Sequence, residues 1–251
     1  MRPARRRVRW LGRFAFALLV SSALWLLARQ TPRLLGRLAL FELQSFEVTG
    51  TRYLTGVQVA EAAGVTDGAS LWDDTGEWEE RLRAHPLVEA VRIHRRPPGT
   101  LLFEIDENTP VAFVASPTLE PIARDGRLLP IDPALHRLDL PVLRASLDPA
   151  DERFASSGSL RILLEELQRL ESVDAEFRER ISEAWLTERG DVGIRLVAPA
   201  VTFYWRAPLG MRRLAEGMSA LTHAFEAERG TPTEVDLRYA DQVVVRVGRT
   251  R

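Results

Sequence analysis

Apolar residues are spaced along this chain in three ways, and each spacing predicts a different kind of element. From Leu11 to Ala28 they are nearly continuous (LGRFAFALLVSSALWLLA), directly after the basic stretch RPARRRVR. As a helix these eighteen residues rise roughly 27 Å at about 1.5 Å each, close to a hydrocarbon core of about 30 Å. Trp10 and Trp25 suit the two interfaces, and Arg13, one turn inside, can snorkel its guanidinium back to the headgroups. Arg2, Arg5, Arg6, Arg7, Arg9 and Arg13 stand before the span, against Arg29, Arg33 and Arg37 after it, so the amino terminus is predicted to stay inside. A cleaved signal peptide shares this charged-then-apolar pattern, but Ser21 to Gln30 offers no clean small-x-small site, which favours an uncleaved anchor. Gln30 to Leu43 is a short amphipathic exit, with Leu34, Leu35, Leu38 and Phe41 at helical spacing.

Past the anchor, alternation and the 3.6-residue period take turns. Phe46 to Val48 reads as a strand ended by Thr49-Gly50, and Thr55 to Ala63 as a helix closed by Gly64. A second helix, N-capped by Asp73 or Asp74, runs through Trp78 and Leu82 to Ala84, with Pro86 just beyond it. Val88 to Arg95 then alternates, Val91 and Ile93 on the buried side against Arg92 and His94. A turn at Pro97-Pro98-Gly99 leads into Leu101 to Glu107. The order strand, helix, helix, strand, strand predicts a small α+β module, a helix pair on a three-stranded sheet.

The second half continues in the same manner. Val111 to Ala115, Glu120 to Arg124 and Arg127 to Leu129 predict a hairpin, with Asp125-Gly126 as a type I′ turn. Leu140-Pro141-Val142-Leu143 closes that piece. From Ser159 to Leu170, Leu160, Leu163, Leu164, Leu167 and Leu170 form one apolar helical face with Glu165, Glu166 and Arg169 outside, and Ser156-Ser157-Gly158-Ser159 is its N-cap loop. Ile181 to Thr187, Gly193 to Val197 and Val201 to Trp205 read as three antiparallel strands. Leu214, Met218, Leu221 and Phe225 mark a helix from Pro208 to Glu228, ended by Gly230, and Glu234 to Tyr239 and Gln242 to Val247 are two last strands. This half is a mixed β-domain with antiparallel strands and two flanking helices.

Charge changes the picture by its asymmetry. The net charge of -1 conceals that nine of the 34 basic residues, and none of the 35 acidic ones, precede Glu42. Residues 42 to 251 carry 25 basic against 35 acidic residues, a net charge of -10, which argues against nucleic acid or anionic lipid as their ligand. Every basic residue is Arg and there is no Cys, so disulfides, thiol nucleophiles and Cys-ligated metals are excluded.

Candidate chemistry adds little. Glu104, Asp106 and Glu107 could suggest a carboxylate pair, but Glu104 and Asp106 share one strand face while Glu107 points oppositely, which fits a solvated strand better than glycoside cleavage. The four His, at 85, 94, 136 and 223, lack metal-ligand spacing, the serine loop has no G-x-S-x-G elbow, and no glycine cluster could cradle phosphate. Trp72, Trp78, Trp185 and Trp205 could bind sugar or peptide, but their places in helix and strand patterns favour core filling. No cofactor and no catalytic or metal residue is predicted.

The residues FEVTG and HPLVEAVRIHRRPPGTLLFEIDENTPVA resemble the POTRA domain of the FtsQ/DivIB family of bacterial division proteins. His85-Pro86, Val88, Val91, Ile93, Arg95, Pro98, Thr100, Leu101, Glu107, Pro110, Val111 and Ala112 fall on the family's spacing. Residues 111 to 247 look like the family's β-domain. The division that follows is a cytoplasmic basic tail 1–10, a transmembrane helix 11–28, a membrane-proximal segment 29–43, a POTRA domain 44–110 and a β-domain 111–251. POTRA modules also occur in outer-membrane assembly and secretion proteins, so a membrane-anchored chaperone or secretion module is the alternative, and a cell-wall enzyme a more distant one. No series of barrel strands is seen here.

The resemblance implies a non-enzymatic scaffold in the cell (inner) membrane at the division septum, with its large domain periplasmic or otherwise extracytoplasmic. It also implies that the last strand pairs with FtsB, itself bound to FtsL, and it allows a second partner on the POTRA face. Strand physics points the same way: Val243, Val244 and Val245 in a last strand, with Arg246 and Arg249 as gatekeepers, would offer unpaired N–H and C=O groups to an incoming strand. Tyr239, in DLRY, matches the family's tyrosine at the start of this hairpin. Asp241 stands where a Ser can stand, and Val247 where some members carry a Trp.

Overall fold

The structure is a computed structural model that describes residues 18–22, 25, 42–66, 68–116, 118–145, 158–227 and 230–248. Residues 18–22 and 25 are helical. The rest of the expected span 11–28, the tail 1–10 and residues 29–41 lie outside the described residues, as does the Ser156-Ser157 part of the serine loop. Among the described residues no helix is long and apolar enough to cross a membrane. The chain divides after Glu107 into two compact units.

The first unit follows the expected order: β1 (Ser45–Thr49), α1 (Gly56–Ala63), α2 (Thr75–Arg83), β2 (Val88–Arg96) and β3 (Thr100–Glu107). The sheet order is β1-β3-β2, with β1 parallel to β3 and β2 antiparallel to it. Thr55 and Gln58 form a reciprocal capping box at the start of α1, Gly64 takes the left-handed conformation at its end, and Asp74 caps α2 through the Gly76 N–H at 2.9 Å. Val59, Leu71, Leu82, Leu101, Phe103 and Ile105 are all fully buried between helices and sheet. Gly50 has no substitute: at φ 84° a Cβ there would lie 2.2 Å from the Ile105 carbonyl oxygen.

Val91 is buried as expected, but Ile93 is only half-buried. The same side of β2 continues to Arg95, which donates to the carbonyls of Leu71 (2.8 Å) and Asp73 (2.9 Å), so the apolar core thins out at Ile93. Glu107, at the end of β3, accepts the N–H groups of Arg52, Tyr53 and Leu54 at 2.7, 2.9 and 2.8 Å. Arg95 and Glu107 thus hold loops in place.

The second unit is an eight-stranded mixed sheet with its helices. The strands are β4 (Pro110–Ser116), β5 (Thr118–Ala123), β6 (Val142–Arg144), β7 (Ile181–Leu186), β8 (Val192–Leu196), β9 (Thr202–Trp205), β10 (Thr231–Asp236) and β11 (Val244–Gly248), in spatial order β11-β10-β9-β8-β7-β6-β4-β5. The helices are α3 (Gly158–Val173), α4 (Ala175–Glu179) and α5 (Met211–Glu226). Ala184, Ile194, Phe203 and Val235 lie in register across β7 to β10. They join Leu160, Leu163, Leu167 and Leu170 of α3 and Leu214 and Leu221 of α5 in a single core.

Four details depart from the sequence pattern. Glu166 lies inside: its carboxylate accepts the Trp205 indole N–H at 2.9 Å and the Leu209 amide at 3.1 Å. The turn at Asp125-Gly126 is a three-residue loop, closed by Gly126 N–H to Ala123 C=O (3.0 Å) and Ala123 N–H to Arg127 C=O (2.9 Å), with only its last residue required at positive φ. Helix α4, a single short turn capped by Asp174, carries too few residues to show a period. Strand β10 begins at Thr231 and stops at Asp236, which leaves Tyr239 in a loop, and β11 begins at Val244, which leaves Val243 just before it.

Candidate functional site

Strand β11 ends the sheet, and its hydrogen-bonding pattern can be worked out from its neighbours. The Leu237 N–H donates to the Tyr204 carbonyl of β9 at 2.7 Å, so alternate residues of β10 turn toward β9 and the intervening Glu234 and Asp236 turn toward β11. Their partners there are Arg246 and Val244, which therefore face β10, while Val245 and Val247 direct N–H and C=O away from the sheet. The five-residue strand offers two complete pairs of free backbone groups along an edge that no described strand covers.

Side chains sort the edge by face. Val245 lies opposite Val235 and, with Val243, packs against the core, whereas Val247 is 43% exposed. On the other face Arg246 pairs with Glu234 at 3.4 Å. Asp241 is exposed in the loop between the strands. Tyr239, 49% exposed, stands on that same loop and on the rim of a polar groove of about 740 Å³ that also touches Arg238, Arg206, Arg189 and Asp191. The structure therefore brings Tyr239, Asp241, Val243, Val244, Val245 and Val247 to one margin of the sheet, with Tyr239 and Asp241 in its loop and Val244 turned inward.

Two arginines absent from the sequence reading organise this margin. Arg238 forks onto Asp236 (2.8 and 2.6 Å), reaches Asp191 at 3.3 Å and lies 5.2 Å above the Tyr204 ring. Its hydrogen bonds hold the Asp236 carboxyl below the ordinary carboxylate range against the opposing effect of burial, and Asp236 in turn raises the guanidinium. Arg213 of α5 donates to the carbonyls of Leu237 (3.2 Å), Tyr239 and Gln242 (2.6 Å), while Glu216 accepts from it at 2.8 Å. A signal for Arg238 existed in the D-x-R spacing, since residues two apart on an extended chain share a face. Arg212 and Arg213 look alike in sequence, and only the fold separates them.

The other chemical candidates fall into structural places. Glu104 meets Arg92 at 3.8 Å and His94 at 3.2 Å, and Asp106 meets Arg92 at 4.0 Å, all on the exposed face of the first sheet. His85 accepts the Leu87 N–H at 3.2 Å, and burial lowers its pKa against the pull of Glu107. Trp78 and Trp205 are buried, and the half-buried Trp185 lies across Gly193, where a Cβ would come within 2.6 Å of its ring. Among the described residues no group of three His, Cys, Asp or Glu could hold a metal ion.

Comparison with known proteins puts a family around this geometry. Residues 41–108 match the POTRA domain of FtsQ type. Similar proteins include the cell division protein FtsQ of Myxococcus fulvus, 31% identical over 108 residues, which cover 41% of this chain and 37% of that one. FtsQ of Rhodothermus marinus is 28% identical over 215 residues, 81% of this chain and 77% of its own length. The cell division protein DivIB of Bacillus selenitireducens is 31% identical over 87 residues, 33% of this chain and 34% of that protein. Residues 41–108 are an FtsQ-type POTRA domain, and the chain is similar to division proteins of the FtsQ/DivIB family. Its matches span a little over a third of the length of two of these relatives and about three quarters of the third. The FtsQ-type POTRA match covers β1 to β3, whereas the open edge of β11 lies outside it.

Proposed function

We propose that this chain is a non-enzymatic division scaffold, anchored in the cell membrane by residues 11–28 with its amino terminus in the cytoplasm, and that it acts at the septum. Its second unit holds FtsB/FtsL-like single-span division proteins by accepting one of their strands on β11. The reading is carried by the outward N–H and C=O groups of Val245 and Val247, beside the exposed Tyr239. Strand addition draws its affinity from main-chain hydrogen bonds, and such an edge supplies them without side-chain chemistry. The cell division roles in the relatives' names and the acidic residues 42–251 support the same reading.

The test is co-purification of the full-length chain with the FtsB/FtsL-like pair of the same genome. Val245→Pro removes an outward donor and clashes with a docking strand, while the bonds between β10 and β11 stay available. Capture should be lost with this variant and with deletion of residues 241–251, with membrane association and the first unit unaffected. Capture at wild-type levels by either variant would move the interaction to another surface.

A further inference from the structure

We propose that Arg213 is the positioning residue of this edge, fixing the loop between β10 and β11 so that β11 and Tyr239 are already in place when a partner strand arrives. The proposal rests on the strand-addition reading above. Past Leu237 the chain leaves the sheet, and one guanidinium takes hold of it at both ends of the excursion. Its Nε donates to Leu237, and its Nη2 to Tyr239 and to Gln242 at 2.6 Å. Three carbonyls spread over six residues converge on one planar group whose donors diverge in fixed directions. The arginine is itself oriented: Nη1 donates to Glu216 one turn along α5 at 2.8 Å, and the side chain is only 19% exposed. Helix α5 is anchored beneath by Leu214 and Leu221, and Gly217 lies against Leu237, where a Cβ would sit 2.9 Å from the leucine side chain. Core packing, helix, guanidinium and loop thus form one connected support ending at Val244, the first residue of β11.

Arg213 turns four of its five donors to three loop carbonyls and to Glu216, and its side chain is mostly covered, so its effect on binding runs through the loop. Without it the loop samples conformations in which the start of β11 is frayed, and apparent affinity falls by the fraction of time the edge is formed. If that fraction drops to about a tenth, binding weakens about tenfold, through a slower association rate with little change in dissociation.

Full-length wild type, Arg213→Ala, Arg213→Lys and Arg212→Ala separate this from its alternatives. Arg212 is the control, since it shares Glu216 at 2.9 Å but is 92% exposed and is not among the donors to the loop. Expected for Arg213→Ala is at least about tenfold faster amide exchange over residues 239–244, unchanged exchange in β7 to β9, and an association rate with the FtsB/FtsL-like pair lowered about tenfold. Lys, a single point donor, should recover only part of this, and Arg212→Ala should match wild type. Unchanged exchange in the loop, or a change confined to dissociation, overturns the proposal. Capture undiminished by Val245→Pro removes the strand-addition reading and the binding role of Arg213 with it. Capture lost with Val245→Pro but an unchanged association rate with Arg213→Ala removes the Arg213 proposal alone.

Discussion

Neighbouring residues with opposite surroundings give the sharpest tests of register. Val91 is buried in the first unit, whereas Arg92 is 61% exposed on the other face, in long contacts with Glu104 and Asp106. Val91→Asp should cost several kcal/mol by burying an unpaired charge, and Arg92→Ala should stay within about 0.5 kcal/mol. Urea denaturation of the two variants checks this, and equal midpoints would refute the register. Asp236 supplies a test in pH. Its carboxyl is held below the ordinary 3.8 chiefly by hydrogen bonds from Arg238, so the native state takes up its proton less readily than the unfolded chain does. The resulting stabilisation is complete above that ordinary value and disappears as pH falls through the depressed one. Asp236→Asn should therefore flatten part of the acid limb of a melting profile recorded between about pH 5 and pH 2. Parallel limbs for the two proteins would mean that this carboxyl is not linked to folding.

At the scale of elements, strand alternation in β11 turns into a proline pattern. Proline at 245 or 247 removes an outward donor, so the fold should survive while partner capture fails. Proline at 244 or 246 strikes a donor turned toward β10 and should loosen the hairpin itself, seen as accelerated amide exchange across β10. Equal behaviour at adjacent positions would show that the inferred alternation is wrong. Much of this element structure was legible beforehand, because alternation and helical spacing are written in the apolar residues: Asp74 and Gly64 fall where helix ends were expected, and Thr55, expected as the first helical residue, is the N-cap. What escaped has a common cause. Glu166 belongs by its period to the α3 surface, but Trp205 and Leu209 bring buried donors to it from distant parts of the chain. The alternation through D-L-R-Y puts Tyr239 in a strand, yet the last bond to β9 is made by Leu237 and pairing with β11 ends at Asp236, and the Tyr239 carbonyl accepts from Arg213 instead of from a neighbouring strand. The backbone of the candidate edge was foreseeable from VVV, whereas its support from α5 depended on a helix neighbour that no local spacing encodes.

For the molecule as a whole, the proposed topology predicts what a protease can reach. Protease added outside spheroplasts should digest residues 42–251 and leave a small amino-terminal fragment in the membrane, whereas a mature protein beginning near Thr31 would sink the uncleaved anchor. That topology also makes the first unit a link in a tether, and the parallel pairing of β1 with β3 decides how it bears a load. The chain comes from the proposed anchor into β1 at Ser45 and leaves toward the second unit from Glu107 at the end of β3. Ser45 lies opposite Thr100 and Thr49 opposite Glu104, so the two strands run side by side in one direction and are pulled from opposite ends. Tension between membrane and septal partners would then act along the strands as shear, straining all five paired positions together instead of peeling them one at a time. A module loaded this way should hold while antiparallel hairpins pulled from their open ends unzip.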